Sequence, residues 1–136
     1  MKAHDTQSIE MNVAPDRAFE FIADARELPR WTEAFAEADG QRARLRTPMG
    51  EVDIQLRVSA EPSTGTVDWL MTFEDGCEAV AFSRVVPLGV DHCVYSFILM
   101  PPPVPLEALE GALEEQSRTL ARELAKLKEV LEARVA

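Results

Sequence analysis

The chain has 136 residues, 46% of them hydrophobic and 28% charged, which fits one globular domain and not a disordered chain. Its 24 acidic residues against 14 basic ones leave a formal charge of −10, so the basic footprint that phosphate contacts need is absent and no nucleic-acid partner is expected. The opening MKAHDTQS has no apolar core for a secretory leader, and no apolar run is long enough to span a bilayer, so a cytoplasmic protein with no integral membrane segment is expected.

Residues 7–13 alternate as a first strand, and Asn12 to Asp16 carry turn chemistry. Pro15 suits the first position of a helix, where its missing N–H costs nothing. Phe19 and Ile22 then share a face, with Ala18 and Phe21 beside them, and Asp24 ends this helix or caps the next. The run ARELPRWTEAF at 25–35 predicts a second short helix restarted at Pro29, with Leu28, Trp31 and Phe35 near one apolar stripe.

Strands in hairpins follow. QRARLRT and EVDIQLRVS each alternate charged with apolar residues around the turn TPMG. Pairing about that turn sets Arg46 opposite Glu51, Arg44 opposite Asp53, Leu45 opposite Val52 and Ala43 opposite Ile54. The next turn, in AEPSTG, predicts Arg57 opposite Asp68, Val58 opposite Val67 and Leu56 opposite Trp69. Val67, Trp69, Met71 and Phe73 then face inward, and Leu70 falls out of pattern on the wet side. The last hairpin, 77–100, turns near Pro87 to Gly89. A symmetric register sets Val80 opposite Phe97, Phe82 opposite Tyr95 and Arg84 opposite Cys93, with Ala79, Ala81, Ser83 and Ser96 on the outer face. That register keeps Cys77 too far from Cys93 for a bridge, so two reduced thiols are expected.

PPPVP ends the last strand, since proline has no ladder donor. A long helix runs from Leu106 to about Ala133, with Leu106, Leu109, Leu113, Leu120, Leu124, Leu127 and Leu131 at 3/4 spacing and Gln116 interrupting them. Such a stripe serves either a coiled-coil homodimer or the cover of a sheet, and the sheet upstream, which needs one face covered, favours the second.

The order of strand, two short helices, antiparallel sheet and long terminal helix resembles the START-like, or SRPBCC, superfamily, to which polyketide cyclases/dehydrases and Bet v 1-like proteins belong. VAPDRAFEFIADARELPRW at 13–31, RVVPLG at 84–89 and the leucine-rich helix carry the resemblance, which covers the whole chain, 1–136, as a single domain. It implies an α+β helix-grip fold: a curved antiparallel sheet wrapped around the long C-terminal helix, with the two short helices closing one end. It also implies a hydrophobic pocket between sheet and helix.

The candidate lining residues are Trp31, Trp69, Met71, Phe82, Arg84, Tyr95, Phe97, Leu113, Gln116 and Leu120. Trp69 sits mid-strand on the concave face as a wall residue, whereas ordinary core packing outweighs a ligand role for Trp31. Tyr95 either donates to a ligand carbonyl or phenol or satisfies itself at a cavity edge. Arg84 pairs with a ligand carboxylate or, more in keeping with arginine's usual exposure, lies in water. Gln116 points into the pocket or borders the stripe. Glu78, near a strand start, is a lone carboxylate for which edge exposure is the simpler account. His4 and His92 have no partners at metal-ligand spacing, no base is indicated beside Cys93, and no nucleotide or hydrolase motif is present, so neither metal nor cofactor is expected.

Three functions follow: binding of a small hydrophobic molecule; a cyclase/dehydrase-type enzyme acting on a poly-β-keto or related aromatic substrate; or a protein-interaction module. The first leads, because no clear acid–base pair stands out.

Overall fold

A computed structural model of the chain describes residues 4–47, 50–100 and 106–135. Seven strands form one antiparallel sheet: β1 (Asp5–Met11), β2 (Phe35–Ala38), β3 (Arg42–Thr47), β4 (Gly50–Glu61), β5 (Thr66–Thr72), β6 (Glu78–Gly89) and β7 (His92–Leu99). Their order across the sheet is β1-β7-β6-β5-β4-β3-β2, so every neighbour after the β1–β7 closure is a hairpin partner. The sheet curls as a half-barrel around the long helix α3 (Leu106–Val135). Two short helices, α1 (Pro15–Ala23) and α2 (Leu28–Trp31), follow β1 and are linked by a 3-10 turn over Ala25–Glu27.

The two prolines act as helix starters. Pro15 opens α1, which buries Ala18, Phe21 and Ile22. Asp24 then stops it and starts the next turn, its carboxylate accepting from Arg26 N at 3.1 Å. Pro29 sits in the first turn of α2, which buries Leu28 and Trp31. The helix predicted through Phe35 ends at Trp31 instead. Thr32 closes it by donating its hydroxyl to Leu28 O at 2.8 Å, and Phe35 begins β2, an edge strand paired with β3.

Alternation sets the sheet's two faces, and charge pairs set its first register. β3 and β4 pair as predicted, with Arg44 opposite Asp53 and Leu45 opposite Val52. β4 and β5 pair two residues further on than predicted, Val58 opposite Trp69 and Arg57 opposite Leu70, because the turn occupies Pro62 to Gly65. A two-residue shift keeps every face, so Val67 and Trp69 are buried as expected. The β6–β7 hairpin departs more. Val85 stands opposite Tyr95, Phe82 opposite Ile98 and Arg84 opposite Ser96, with an irregularity between Pro87 and Gly89. That displaces β6 by an odd number of residues and reverses its faces. Ala81, Ser83 and Val85 turn inward, while Phe82 is 38% exposed on the convex side.

α3 lies on the concave side and buries Leu113, Leu120, Leu124, Leu127 and Leu131. Each leucine moved out of water this way contributes about 1.5–3 kcal/mol. Helix and sheet are also tied by polar contacts. Gln7 Nε2 donates to Ser117 O at 2.8 Å, Lys128 Nζ to Glu10 O at 3.0 Å, and Asn12 N to Glu132 Oε2 at 2.8 Å. Pro101 to Pro105, Pro48 and Met49 of the TPMG turn, and the side chains of Leu106 and Leu109 lie outside what is described.

Candidate functional site

The concave wall has a closed end and an open one. Near α1, Met11, Ile22, Cys93, Tyr95, Leu127 and Leu131 are at most 1% exposed. Toward the C-terminal ends of β5 and β7, Met71, Phe73, Phe97 and Leu99 occupy the same inward register but are only partly buried. Val58, in the row of Trp69, is likewise half-buried. Apolar side chains on the inward face that keep access to water leave this end of the wall unsealed.

Four aromatic rings cross this wall in one row. Trp31 meets Tyr95 edge-on, with ring centres 6.3 Å apart and planes at 86°. Tyr95 meets Phe97 at 6.4 Å and 69°, and Phe97 meets Trp69 at 5.8 Å and 30°. α2 supplies Trp31, β7 supplies Tyr95 and Phe97, and β5 supplies Trp69. Small Ala81 and Ser83 on β6 lie opposite Leu99 and Phe97 and leave room for the rings.

Three polar atoms of this row are buried without a hydrogen-bond partner: Trp31 Nε1, Trp69 Nε1 and Tyr95 Oη. A buried donor left unpaired costs about 1–3 kcal/mol, so three in one row is a concentrated penalty. Ser83 Oγ lies beside the Tyr95 hydroxyl, and its own hydrogen goes to Val67 O at 2.6 Å. Burial pushes the Tyr95 hydroxyl far above the ordinary phenol range, so it remains a neutral donor.

A carboxyl stands near the same end. Glu123, half-buried on α3, accepts from Glu33 N at 2.6 Å and Ala34 N at 3.3 Å, holding the α2–β2 connection against the helix. Burial raises its pKa, and the two amide bonds and Arg122 act the other way. Its charge also helps raise Tyr95. Outside it, Arg122 makes a paired contact with Glu33 at 2.8 and 3.0 Å. Between α2 and α3 runs a groove of about 490 Å³, with Trp31, Thr32, Arg122, Glu123 and Lys126 among its lining residues. Trp31 thus has the groove on one side and the aromatic row on the other. A second groove, of about 390 Å³, lies on the convex face away from the row, and Leu70 helps line it with Arg42, Gln55 and Arg57.

Of the residues singled out in the sequence, Trp31, Trp69, Tyr95, Leu113 and Leu120 are buried, and Met71 and Phe97 are half-buried. Three lie elsewhere. Phe82 and Arg84 are on the convex face because of the reversed β6 register, and Arg84 Nε donates to Thr64 O at 2.9 Å. Gln116 is exposed, because the buried line of α3 passes from Leu113 through half-buried Ser117 to Leu120. Glu123 was missed. Its spacing from Leu120 and Leu127, three and four residues, was the available signal.

The remaining candidates stay outside the row. Glu78 and His4 are exposed, and His92 sits between Asn12 Oδ1 at 2.9 Å and Glu10 Oε2 at 3.2 Å. Cys77 and Cys93 are free thiols. A hydrogen bond with Asp75 raises the first and burial raises the second, neither of which favours a nucleophilic thiolate. Among the described residues, no three His, Cys, Asp or Glu side chains are grouped to hold a metal ion. None of the described helices is long and apolar enough to cross a membrane.

No protein-family model and no curated protein sequence matches the chain. Solved structures do. A START superfamily protein from Mycobacterium smegmatis superposes with a TM-score of 0.73 at 16% identity, over 96% of this chain and 97% of that one. The Zhui aromatase/cyclase of a Streptomyces species gives 0.70 at 13% identity, over 98% and 95%. The di-domain ARO/CYC protein BexL gives 0.74 at 16% identity, with this chain spanning 97% of its own length and 47% of BexL. These likenesses agree with the curled seven-stranded sheet, the two short helices and the long terminal helix described above. The chain adopts the START-like (SRPBCC) helix-grip fold.

Proposed function

We propose that this protein binds a small, largely apolar molecule between the open end of the concave wall and α3. The observation that carries this reading is the set of inward-facing but half-buried side chains Met71, Phe73, Phe97 and Leu99 beside a fully packed end. A core built for stability alone would close over them, since each apolar group left in water forfeits burial energy. The START and aromatase/cyclase likenesses support a cavity of this kind as a use of the fold. Native mass spectrometry of freshly purified protein, with titration of an apolar fluorophore such as 1-anilinonaphthalene-8-sulfonate, is the test. Saturable binding of one equivalent, weakened by Met71→Glu, is expected. Non-saturable binding, or binding indifferent to Met71→Glu, would overturn the proposal.

Glu123 favours one second reading, a cyclase/dehydrase-type enzyme for a poly-β-keto or related aromatic substrate. A carboxyl whose burial favours its protonated form, close to a neutral tyrosine donor, is an arrangement that delivers a proton to an enolate or a leaving hydroxyl. Under this reading Glu123→Gln abolishes turnover of a poly-β-ketone while substrate still binds. Unchanged turnover would dismiss it.

A further inference from the structure

Leu70 breaks the alternation of β5 by facing the convex side, and it does so beside two arginines. Arg57 stands directly opposite it on β4, and Arg42 on β3 stands opposite Gln55, two residues from Arg57 on the same face. Diagonal neighbours of this kind are about 7–8 Å apart at their stems, near enough for two arginine side chains to close on one group. With Gln55, Thr72 and Gly40, these residues line the convex groove of about 390 Å³. An added Cβ at Gly40 would meet nothing within 4 Å, so that end of the groove is open.

The charge around this groove is unbalanced. In a chain with 24 acidic and 14 basic residues, an arginine has carboxylates to spare. Arg26, Arg30, Arg44 and Arg122 each reach one at 2.8–3.2 Å. Among the described residues, neither Arg42 nor Arg57 forms such a pair. The two carboxylates beside Arg42 are engaged elsewhere. Asp53 pairs with Arg44, and Asp39 Oδ1 accepts from the amides of Gln41 and Arg42, both at 2.8 Å. Two neighbouring positive charges without a counter-ion repel each other, and an anion held between them removes that cost.

We propose that this groove is a separate binding site for a phosphate monoester with a small apolar body. Arg42 and Arg57 hold the head, whose two negative charges match theirs, and the Gln55 amide and Thr72 hydroxyl are further donors. Leu70 gives the body an apolar surface, which accounts for a leucine on the wet face. A carboxylate leaves one arginine unmatched, and bare phosphate leaves Leu70 in water. The site lies across the sheet from the concave wall, so it does not rest on the binding reading above.

Calorimetric titration of the full chain with phenyl phosphate, benzoate and inorganic phosphate tests it, at about pH 8, where the ester carries both charges. One equivalent of phenyl phosphate should bind, roughly fivefold or more tighter than either comparison anion. Arg42→Gln and Arg57→Gln should each weaken it roughly tenfold, the worth of one charge-assisted contact. These variants lie on different strands, which guards against either one folding poorly. Arg17→Gln removes the same charge from the exposed face of α1, outside the groove, and should leave binding unchanged. No saturable binding at millimolar ester overturns the proposal. An equal loss in Arg17→Gln, or no loss in both groove variants, overturns it as well, since net charge alone would then account for the attraction. Benzoate binding as tightly as the ester overturns the phosphate head, and inorganic phosphate doing so overturns the role of Leu70.

Discussion

Gly65, in the turn between β4 and β5, allows a calculation with two internal controls. Its φ is +74°, its N–H donates to Glu61 O at 2.9 Å, and its carbonyl accepts from Val85 N at 2.8 Å. A side chain added there would run into the Val85 carbonyl on β6, which is backbone and cannot swing aside. Gly65→Ala therefore meets two separate costs. The left-handed conformation costs about 1 kcal/mol with a Cβ present. Pushing the turn off β6 and losing the bond to Val85 adds about 1–2 kcal/mol more. The expected loss is about 2–3 kcal/mol. Gly76 has φ +87° with nothing within 4 Å of an added Cβ, so Gly76→Ala should show the conformational cost alone, about 1 kcal/mol. Gly40 has open space and no positive φ, so Gly40→Ala should stay within about 0.5 kcal/mol of the parent. Urea unfolding of the three variants, compared at unchanged slope, measures all of these. Equal losses at Gly65 and Gly76 would refute the contact between turn and β6.

Other expectations follow from burial and charge. Leu127→Ala, at a fully buried position on α3, should cost about 2–5 kcal/mol, while Gln116→Ala at an exposed one should cost less than about 0.5 kcal/mol. Equal costs in thermal or urea unfolding would misplace the buried line of the helix. Phe82→Ser should lose under about 1 kcal/mol and Val85→Ser over about 2 kcal/mol, the reverse of what the symmetric hairpin register requires. For Glu123, burial sets the folded pKa above the unfolded one, so between the two the native state holds the extra proton. Its carboxyl is then most favourable at low pH and loses ground as pH rises through that window, levelling off above it. Glu123→Gln should therefore gain on the parent as pH rises above the ordinary carboxyl value of about 4.3. A stability difference that does not change with pH would remove the argument.

How far the sequence spoke depended on what each residue had opposite it. Arg44 and Asp53 fixed one hairpin because a one-residue slip would have set their charges against apolar side chains. No such pair spans β6 and β7. Ring size was the only guide there, and it misled, because a large Phe82 on the convex face faces an equally apolar Ile98. Phe35 continued the spacing of Leu28 and Trp31 closely enough to read as helix, although hydrogen bonding to β3 claims it. Glu123 read as part of a charged helix face, since a carboxylate inside a leucine stripe reveals its burial only once the amides of Glu33 and Ala34 are brought to it. The aromatic row was half visible. Trp69, Tyr95 and Phe97 follow from strand parity, whereas the place of Trp31 depends on α2 folding over the sheet's end.

The order of elements along the chain has a consequence for biosynthesis. β1 is made first but pairs with β7, and α3, the cover of the concave wall, is made after the whole sheet. Until its 30 residues leave the ribosome, Trp69, Tyr95 and Phe97 have no helix to face. At typical translation rates of about 5–20 residues per second, the nascent sheet waits on the order of seconds with its apolar side bare, longer than a small domain needs to collapse. Nascent chains whose sheet has left the ribosome while α3 is still inside should therefore be strong clients for holding chaperones, and chains from which Val135 has also emerged weak ones.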